Sequence, residues 1–394
     1  MHPLRIPAWT LCSSLGDGCA ATLEALRARR TGLRRNDFGA TPLPTWTGRV
    51  PELEHQVLPA QFATWDCRNN RLAWRGLLSD GFRDAVYAAR ERFGPHRIAV
   101  VVGTSTSSIG ASEEAYCRLD PDGQYPLDLR RSIIHTPHSL GDFVQHALEL
   151  TGITVTVATA CSSSAKAFAQ AARLIQLGLA DAAVVGGVDT LCGSVLFGFN
   201  SLELVSPEPC LPFDVERRGI SLGEAAGFAL LQPEAGNGPW FIGYGESSDA
   251  HHMSSPHPEG RGARVALDEV FRRAEIGPRD VDYINLHGTA SRKNDEVEAA
   301  VIAELFPSTT AASSTKGWTG HTLGAAGIVE AGITLLALEH AMLPGTLNTR
   351  TLDPVCGPQV RIDNTTREAR LGLSLSFGFG GSNCVLAFAR SDVH

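Results

Sequence analysis

The sequence predicts an α/β fold made of two related halves, and three observations carry that prediction. Residues 97–102 and 182–188 are short apolar runs rich in valine, each flanked by helical periodicity, as expected of strands buried on both faces of a sheet. Two stretches repeat the order strand, turn of small residues, Ala/Gly-rich helix, with Cys161 at the first turn and His321 at the second. The composition changes at Pro233–Gly238, which divides the chain into residues 1–235, carrying Cys161, and 236–394, carrying His287, Lys316 and His321. The halves do not match residue by residue, so the duplication is a matter of pattern.

The bulk numbers exclude several classes. At 394 residues, 43% hydrophobic and 19% charged, the chain is ordinary globular protein. No apolar run reads as long enough to span a bilayer, and Met1–Trp9 lacks the core of a signal peptide, so a cytoplasmic protein with no membrane partner is expected. A net charge of −8 argues against nucleic acid as a partner. Nine cysteines, an odd number without CxxC pairs, point to reduced thiols rather than disulfides or a metal site. Lys166, Lys293 and Lys316 are the only lysines.

Taken in order, residues 6–48 hold a short strand, a helix from Gly18 to Arg29, and a loop with Arg27, Arg29, Arg30, Arg34 and Arg35. That loop is either a contact for an anionic partner or a solvated face. Residues 42–59 read as loop, and one helix is expected over 76–93. The strand at 97–102 ends in Gly103–Gly110, whose Ser/Thr/Gly character suits a pocket beyond a strand's carboxyl end. From Val155 to Ile175 a β-branched strand, a sharp turn and an amphipathic helix follow. Residues 197–204 are mixed aromatic and aliphatic, residues up to 213 are proline-rich, and 219–231 turn into a strand. A strand at 240–246, a helix at 264–274, a strand at 282–290 ending in the His287 turn, and a helix at 294–306 open the second half. Residues 313–330 lead into a helix to about His340, and 371–388 read as two strands around a glycine-rich turn.

Cys161 falls where strand gives way to helix, so its sulfur is expected in the first helical turn. There free N–H groups and the helix dipole favour thiolate, so the thiol pKa is expected to be depressed and the sulfur suited to covalent acyl transfer. A small buried core cysteine fits the same position. His287 and His321 each pass for ordinary loop histidines. Together with Lys316 they suit a specific chemistry, because two neutral imidazoles can donate N–H groups to the enolate oxygen left when a malonyl thioester loses CO2. The glycines around Phe379 let backbone N–H groups approach as an oxyanion hole requires.

The blocks Thr159–Ser164, Pro212–Asp214, Gly223–Gly227, Leu286–Thr289, Asn294–Asp295, Ser314–Gly327 and Phe377–Asn383 resemble the elongating β-ketoacyl–acyl carrier protein synthases, in order and through nearly the whole chain. The resemblance implies the thiolase fold, with duplicated α/β halves in a five-layered αβαβα sandwich. It also implies a reaction with no cofactor and no metal. Cys161 would carry the acyl chain, while His287 and His321 would bind malonyl thioester and stabilise its enolate. Lys316 would hold the electrostatics, with Glu330 and Asp295 in support. The N–H groups of Cys161 and Phe379 would form the oxyanion hole, Phe379 would gate the site, and Phe199 would line the acyl pocket. The partners implied are acidic acyl carrier proteins, bearing acyl and malonyl groups, and either a second copy or a chain-length factor. Two regions depart from the family: Arg218-Gly219 and Gly223-Glu-Ala-Ala-Gly227 stand for an Asp-Gly pair and a Gly-Glu-Gly-Ala-Gly block, and His287-Gly-Thr-Ala-Ser291 for His-Gly-Thr-Gly-Thr. The Cys-Ser-Ser-Ser block and residues 197–209 look more like specialised synthases, such as those of aryl polyene pathways. The alternatives are a thiolase and a non-catalytic chain-length-factor-like subunit.

Overall fold

The computed structural model describes residues 1–234 and 236–390. The dividing line drawn at residue 235 therefore falls on a residue outside the described set. The principal strands are β1 Leu4–Ser13, β2 Ile98–Gly103, β3 Thr154–Val157, β4 Ala182–Asp189 and β5 Ala225–Gln232, then β6 Trp240–Ser248, β7 Tyr283–Asn285, β8 Ala311–Ser313, β9 Leu371–Gly378 and β10 Ser382–Ala389. They lie in the order β8-β7-β9-β10-β6-β1-β5-β4-β2-β3.

That order is the same fold written twice. Numbered within its own half, each set of strands runs 3-2-4-5-1. The directions repeat as well: β2 is parallel to β3 and β4, and β7 to β8 and β9, while the remaining pairs in each half are antiparallel. The halves join where β1 pairs with β6, at Leu4–Phe241 and Arg5–Trp240.

The principal α-helices are α1 Gly18–Arg27, α2 Arg68–Leu77, α3 Phe82–Phe93, α4 Ile109–Tyr116, α5 Ser139–Ala147, α6 Ser163–Gln176, α7 Gly193–Ser201, α8 Arg261–Ala274, α9 Arg292–Leu305 and α10 Ala326–His340, with one further turn of helix at Lys316–Thr319. Helices α6 and α10 pack on each other between the two half-sheets. Helices α2, α3 and α5 cover the outer face of one half-sheet, and α8 and α9 that of the other. The layers are therefore αβαβα, as the resemblance implied.

The central layer explains the composition of its helices. Residues 326–338 are all buried, because α10 meets apolar surface on every side. For that reason Leu323–His340, with a mean hydropathy of 1.3 over 18 residues, does reach the length and apolarity of a membrane span, against the expectation from sequence. It is 89% buried within the fold. Small residues let the two helices close up: a Cβ on Gly327 would lie 2.5 Å from the backbone nitrogen of Ala165.

Some elements differ from expectation. Residues 76–93 form parts of two helices, because Asp80 and Gly81 turn the chain in left-handed conformations (φ +55° and +67°). The aromatic stretch from Phe197 is the end of α7. Its first N–H groups, at Gly193 and Ser194, donate to the carboxylate of Glu113 on α4, so this helix start is capped from a distance. In the arginine loop, Arg29, Arg30 and Arg34 pair with Asp363, Glu24 and Asp37. Thr31 and Gly32 tie the loop to the carbonyls of Gly317 and Trp318.

Candidate active site

Each half brings one turn to the centre. In the first half the 3₁₀ turn Ala160–Ser162 precedes α6, and in the second Leu323–Ala325 precedes α10. Both turns begin on a non-glycine residue in the left-handed region, Ala160 (φ +51°) and Leu323 (φ +58°). Cys161 thus corresponds to Gly324, and His321 comes three residues earlier, so the two do not occupy equivalent places. Strain of this kind, about 1–2 kcal/mol per residue, persists only where neighbours hold the backbone. Here the serines following Cys161 do so. Ser163 Oγ donates to Ala160 O (2.6 Å) and accepts from Thr159 N (2.9 Å), and Ser162 Oγ donates to Thr159 O (2.9 Å). Ser164 Oγ accepts from Ile328 N (2.9 Å) and ties α6 to α10.

The predicted residues meet around one cleft. His321 Nε2 lies 3.0 Å from Cys161 Sγ. The His287 ring stands almost perpendicular to that of His321, with centroids 5.4 Å apart. The turn after β9 brings the Phe379 N–H onto the Cys161 sulfur, and the Phe379 ring lies 5.6 Å from that of Phe199. Gly378 is required there, since a Cβ would come within 2.8 Å of Thr159 O. Cys161, Phe199, His287, His321 and Phe379 all line the cleft. Lys316, Glu330 and Asp295 sit behind it. Lys316 Nζ bonds both the carbonyl of His287 and the carboxylate of Glu330, and all three residues are buried.

Electrostatics correct one expectation. The Cys161 thiol is pushed up to about 11, not depressed. Burial is the main cause: at 4% exposure a thiolate loses its water, which outweighs Lys316 and the Phe379 N–H. Its place also differs, in the turn ahead of α6 rather than within it. His287 and His321 are held well below the ordinary histidine range by burial and by Lys316, so both rings are neutral at pH 7. Burial pushes Glu330 up to about 7 against the pull of Lys316, and Asp295 up to about 6 against its backbone donor Phe213.

Glu298 was missed as a site residue. Its carboxylate takes the N–H groups of His287 (2.7 Å) and Gly288 (2.8 Å), fixing the histidine turn, and burial pushes it up to about 8. The available signal was its i, i+3 spacing from Asp295, which puts both acids on the buried face of α9 while Glu296 is exposed. The departures from the family pattern remove no side chain from the cleft. Ala290 adopts φ +67°, with its methyl packed against Leu33 and Cys210, and its N–H donates to Asp295. Arg218 is exposed, and Glu224 is a buried hub for Arg68, Val50 and Leu191.

The donor atoms of Cys161, His287 and His321 lie within 4.8 Å of one another, a grouping that cysteine spacing could not reveal. A nitrogen and a sulfur on one tetrahedral zinc stand about 3.5 Å apart. The observed 3.0 Å is a hydrogen-bond separation instead.

Comparison with known proteins places the chain. The profile "Beta-ketoacyl synthase, N-terminal domain" matches residues 71–236, and "Beta-ketoacyl synthase, C-terminal domain" matches 241–350. The chain belongs to the β-ketoacyl synthase family. It is an enzyme of the acyltransferase type, with the thiolase-like fold of the ketosynthases. The mitochondrial 3-oxoacyl-[acyl-carrier-protein] synthase of Arabidopsis thaliana is 37% identical over 59% of this chain, a match spanning 55% of that enzyme's length. Nodulation protein E of Rhizobium leguminosarum bv. trifolii is 35% identical over 74% of the chain and 75% of its own length. Among solved structures, "Ketosynthase (ApeO) in Complex with its Chain Length Factor (ApeC) from Xenorhabdus doucetiae" matches at a TM-score of 0.90 and 36% identity, covering 99% of this chain and 98% of that one.

Proposed function

We propose that this ketosynthase joins an acyl group held on Cys161 to malonyl–acyl carrier protein, releasing CO2 and giving 3-oxoacyl–acyl carrier protein. The single observation that carries the reading is the 3.0 Å contact between His321 Nε2 and Cys161 Sγ, in a cleft shared with His287.

In the first stage the Cys161 sulfur attacks the acyl thioester and the carrier's thiol leaves. Because the resting cysteine is a thiol, its proton must travel to the departing sulfur, and His321 Nε2 is placed to relay it. The N–H groups of Cys161 and Phe379 take the negative charge on the tetrahedral oxygen. In the second stage malonyl thioester enters past Phe379. Its carbonyl accepts from His287 and His321, the carboxylate leaves as CO2, and the enolate carbon attacks the acyl–Cys161 carbonyl, breaking the C–S bond and releasing a Cys161 thiolate that takes up a proton from solvent to restore the thiol. Neutral imidazoles suit this role, since they donate without opposing the loss of the carboxylate. Lys316 and Glu330 hold the His287 carbonyl and thereby the ring, Asp295 fixes the turn after His287, and Phe199 lines the acyl pocket.

The partners are acyl carrier proteins, and the working form is a dimer, either of two copies or with a chain-length factor. The match to a ketosynthase solved with its chain length factor supports the latter and a specialised, aryl polyene-type pathway. All nine cysteines are free, which supports a cytoplasmic setting. A thiolase would need a second reactive cysteine, and Cys384 is fully buried inside β10, outside the cleft.

The test is incubation with medium-chain acyl– and malonyl–acyl carrier proteins, following intact mass and CO2. An acyl adduct on the native chain, absent from Cys161→Ala, followed by 3-oxoacyl product is expected. No adduct and no CO2 with any donor would point to a non-catalytic subunit.

A further inference from the structure

Asp189 ends β4 and is fully buried, with no cation bonded to it among the described residues. Its carboxylate instead accepts from six neutral donors. Five come from the end of β2: Thr104 Oγ1 (2.6 Å), Ser105 N (2.9 Å) and Oγ (2.8 Å), and Thr106 N (3.0 Å) and Oγ1 (2.6 Å). The sixth is Gly324 N (2.6 Å), from the other half.

The internal duplication gives this contact its meaning. β4 and β9 are each the fourth strand of a half, ending at Asp189 and Gly378. Each strand end crosses to the opposite half's turn. The β9 end brings the Phe379 N–H to Cys161, and the β4 end brings the Asp189 carboxylate to Gly324, the positional counterpart of Cys161. One arm of the repeat thus donates to the nucleophile, and the other anchors the turn that follows His321. Nothing else fits there, since a Cβ on Gly324 would lie 2.6 Å from both Asp189 Oδ2 and Ser105 N. On its other side His321 is held by its own backbone, with its N–H on Ser221 O (2.7 Å) and its carbonyl on Gly223 N (2.9 Å).

We infer that Asp189 is a positioning residue for condensation: holding Gly324, it fixes the turn that sets His321 Nε2 against Cys161 Sγ. The inference rests on Cys161 being the nucleophile. The negative charge of Asp189 also disfavours the Cys161 thiolate, which supplies a readout beyond activity.

The test compares the full native chain with Asp189→Asn, which keeps the shape but turns an amide NH2 toward the donors. Turnover with acyl– and malonyl–acyl carrier proteins is measured beside the pH profile of Cys161 alkylation by iodoacetamide, read by peptide mass. Expected is a fall in kcat of about tenfold or more with KM within about twofold, since small misplacements of reacting groups cost rate rather than binding. The alkylation profile is expected to move to lower pH. A folded variant with native kcat and an unmoved profile would overturn the inference. Should Asp189→Asn not fold, Gly324→Ala decides: its methyl presses on Asp189 while the charge remains, so kcat is expected to fall with no shift of the profile to lower pH. Native kcat in that variant would sink the idea. Absence of any acyl adduct on Cys161 of the native chain would instead reject Cys161 as the nucleophile.

Discussion

Two opposing effects meet at Cys161. Lys316 and the Phe379 N–H favour the thiolate, and burial disfavours it more strongly, so the residue rests as a thiol. On the proposed mechanism, reactivity is then made on demand, through His321, rather than stored as charge. Lys316 follows the same logic from the other side. Its ammonium is buried against Glu330 and the His287 carbonyl, and removing one member of such a pair strands the other. Lys316→Ala is expected to cost about 3–5 kcal/mol. Lys316→Met with Glu330→Gln should recover most of that stability but not the activity, as read by calorimetry and turnover. Equal melting temperatures for the single and double variants would count against the pair. Residue identities of this kind were legible from sequence. Glu298 was passed over because an acid on a helix reads as solvated until a turn of backbone is seen on its carboxylate.

At the scale of elements, most of the strands, though not the short β8, were legible because both faces of most of them are buried, leaving nearly unbroken valine and alanine runs. Helices α4, α5 and α7 were not. Helix α7 contains Gly193 and Gly198 and takes its cap from Glu113, so its stability is borrowed from a neighbour. Helix ends offer a clean test of local backbone cost. Helix α8 ends on Glu275, exposed and left-handed (φ +56°), with its N–H on Phe271 O. Glycine meets no Cβ penalty there, so Glu275→Gly is expected to stabilise by about 1 kcal/mol in calorimetry. A loss of stability would mean that the glutamate side chain does more than close the helix.

The whole molecule adds a pH dependence that no single site shows. Folding raises Glu298 to about 8, Glu330 to about 7 and Asp295 to about 6, from ordinary values near 4. The native state therefore binds more protons than the unfolded chain across that window. Their contribution is complete below about pH 4 and is lost as pH rises through 6 to 8. His287 and His321 shift the other way, so the native state binds fewer protons below about 6.5 and stability falls in acid. Urea midpoints measured from pH 5 to 9 should peak near pH 6, and Glu298→Gln should flatten the alkaline limb. A midpoint that rises steadily to pH 9 would contradict the buried carboxyls. Steering of an acidic carrier protein should also make turnover fall with salt.

The α/β class and the duplicated pattern follow from local properties, written in hydrophobic period and in turns of small residues, while Cys161, His287, Lys316, His321 and Phe379 were picked out by the blocks that resemble the family. Tertiary packing was needed to settle the protonation of Cys161, the grouping of two histidines with its sulfur, the hold of Glu298 on the His287 turn, and the crossing of Asp189 to Gly324. The grouping at the sulfur and the crossing of Asp189 depend on groups far apart in the chain, and the protonation of Cys161 depends on how much water burial removes. Neither can be read from spacing.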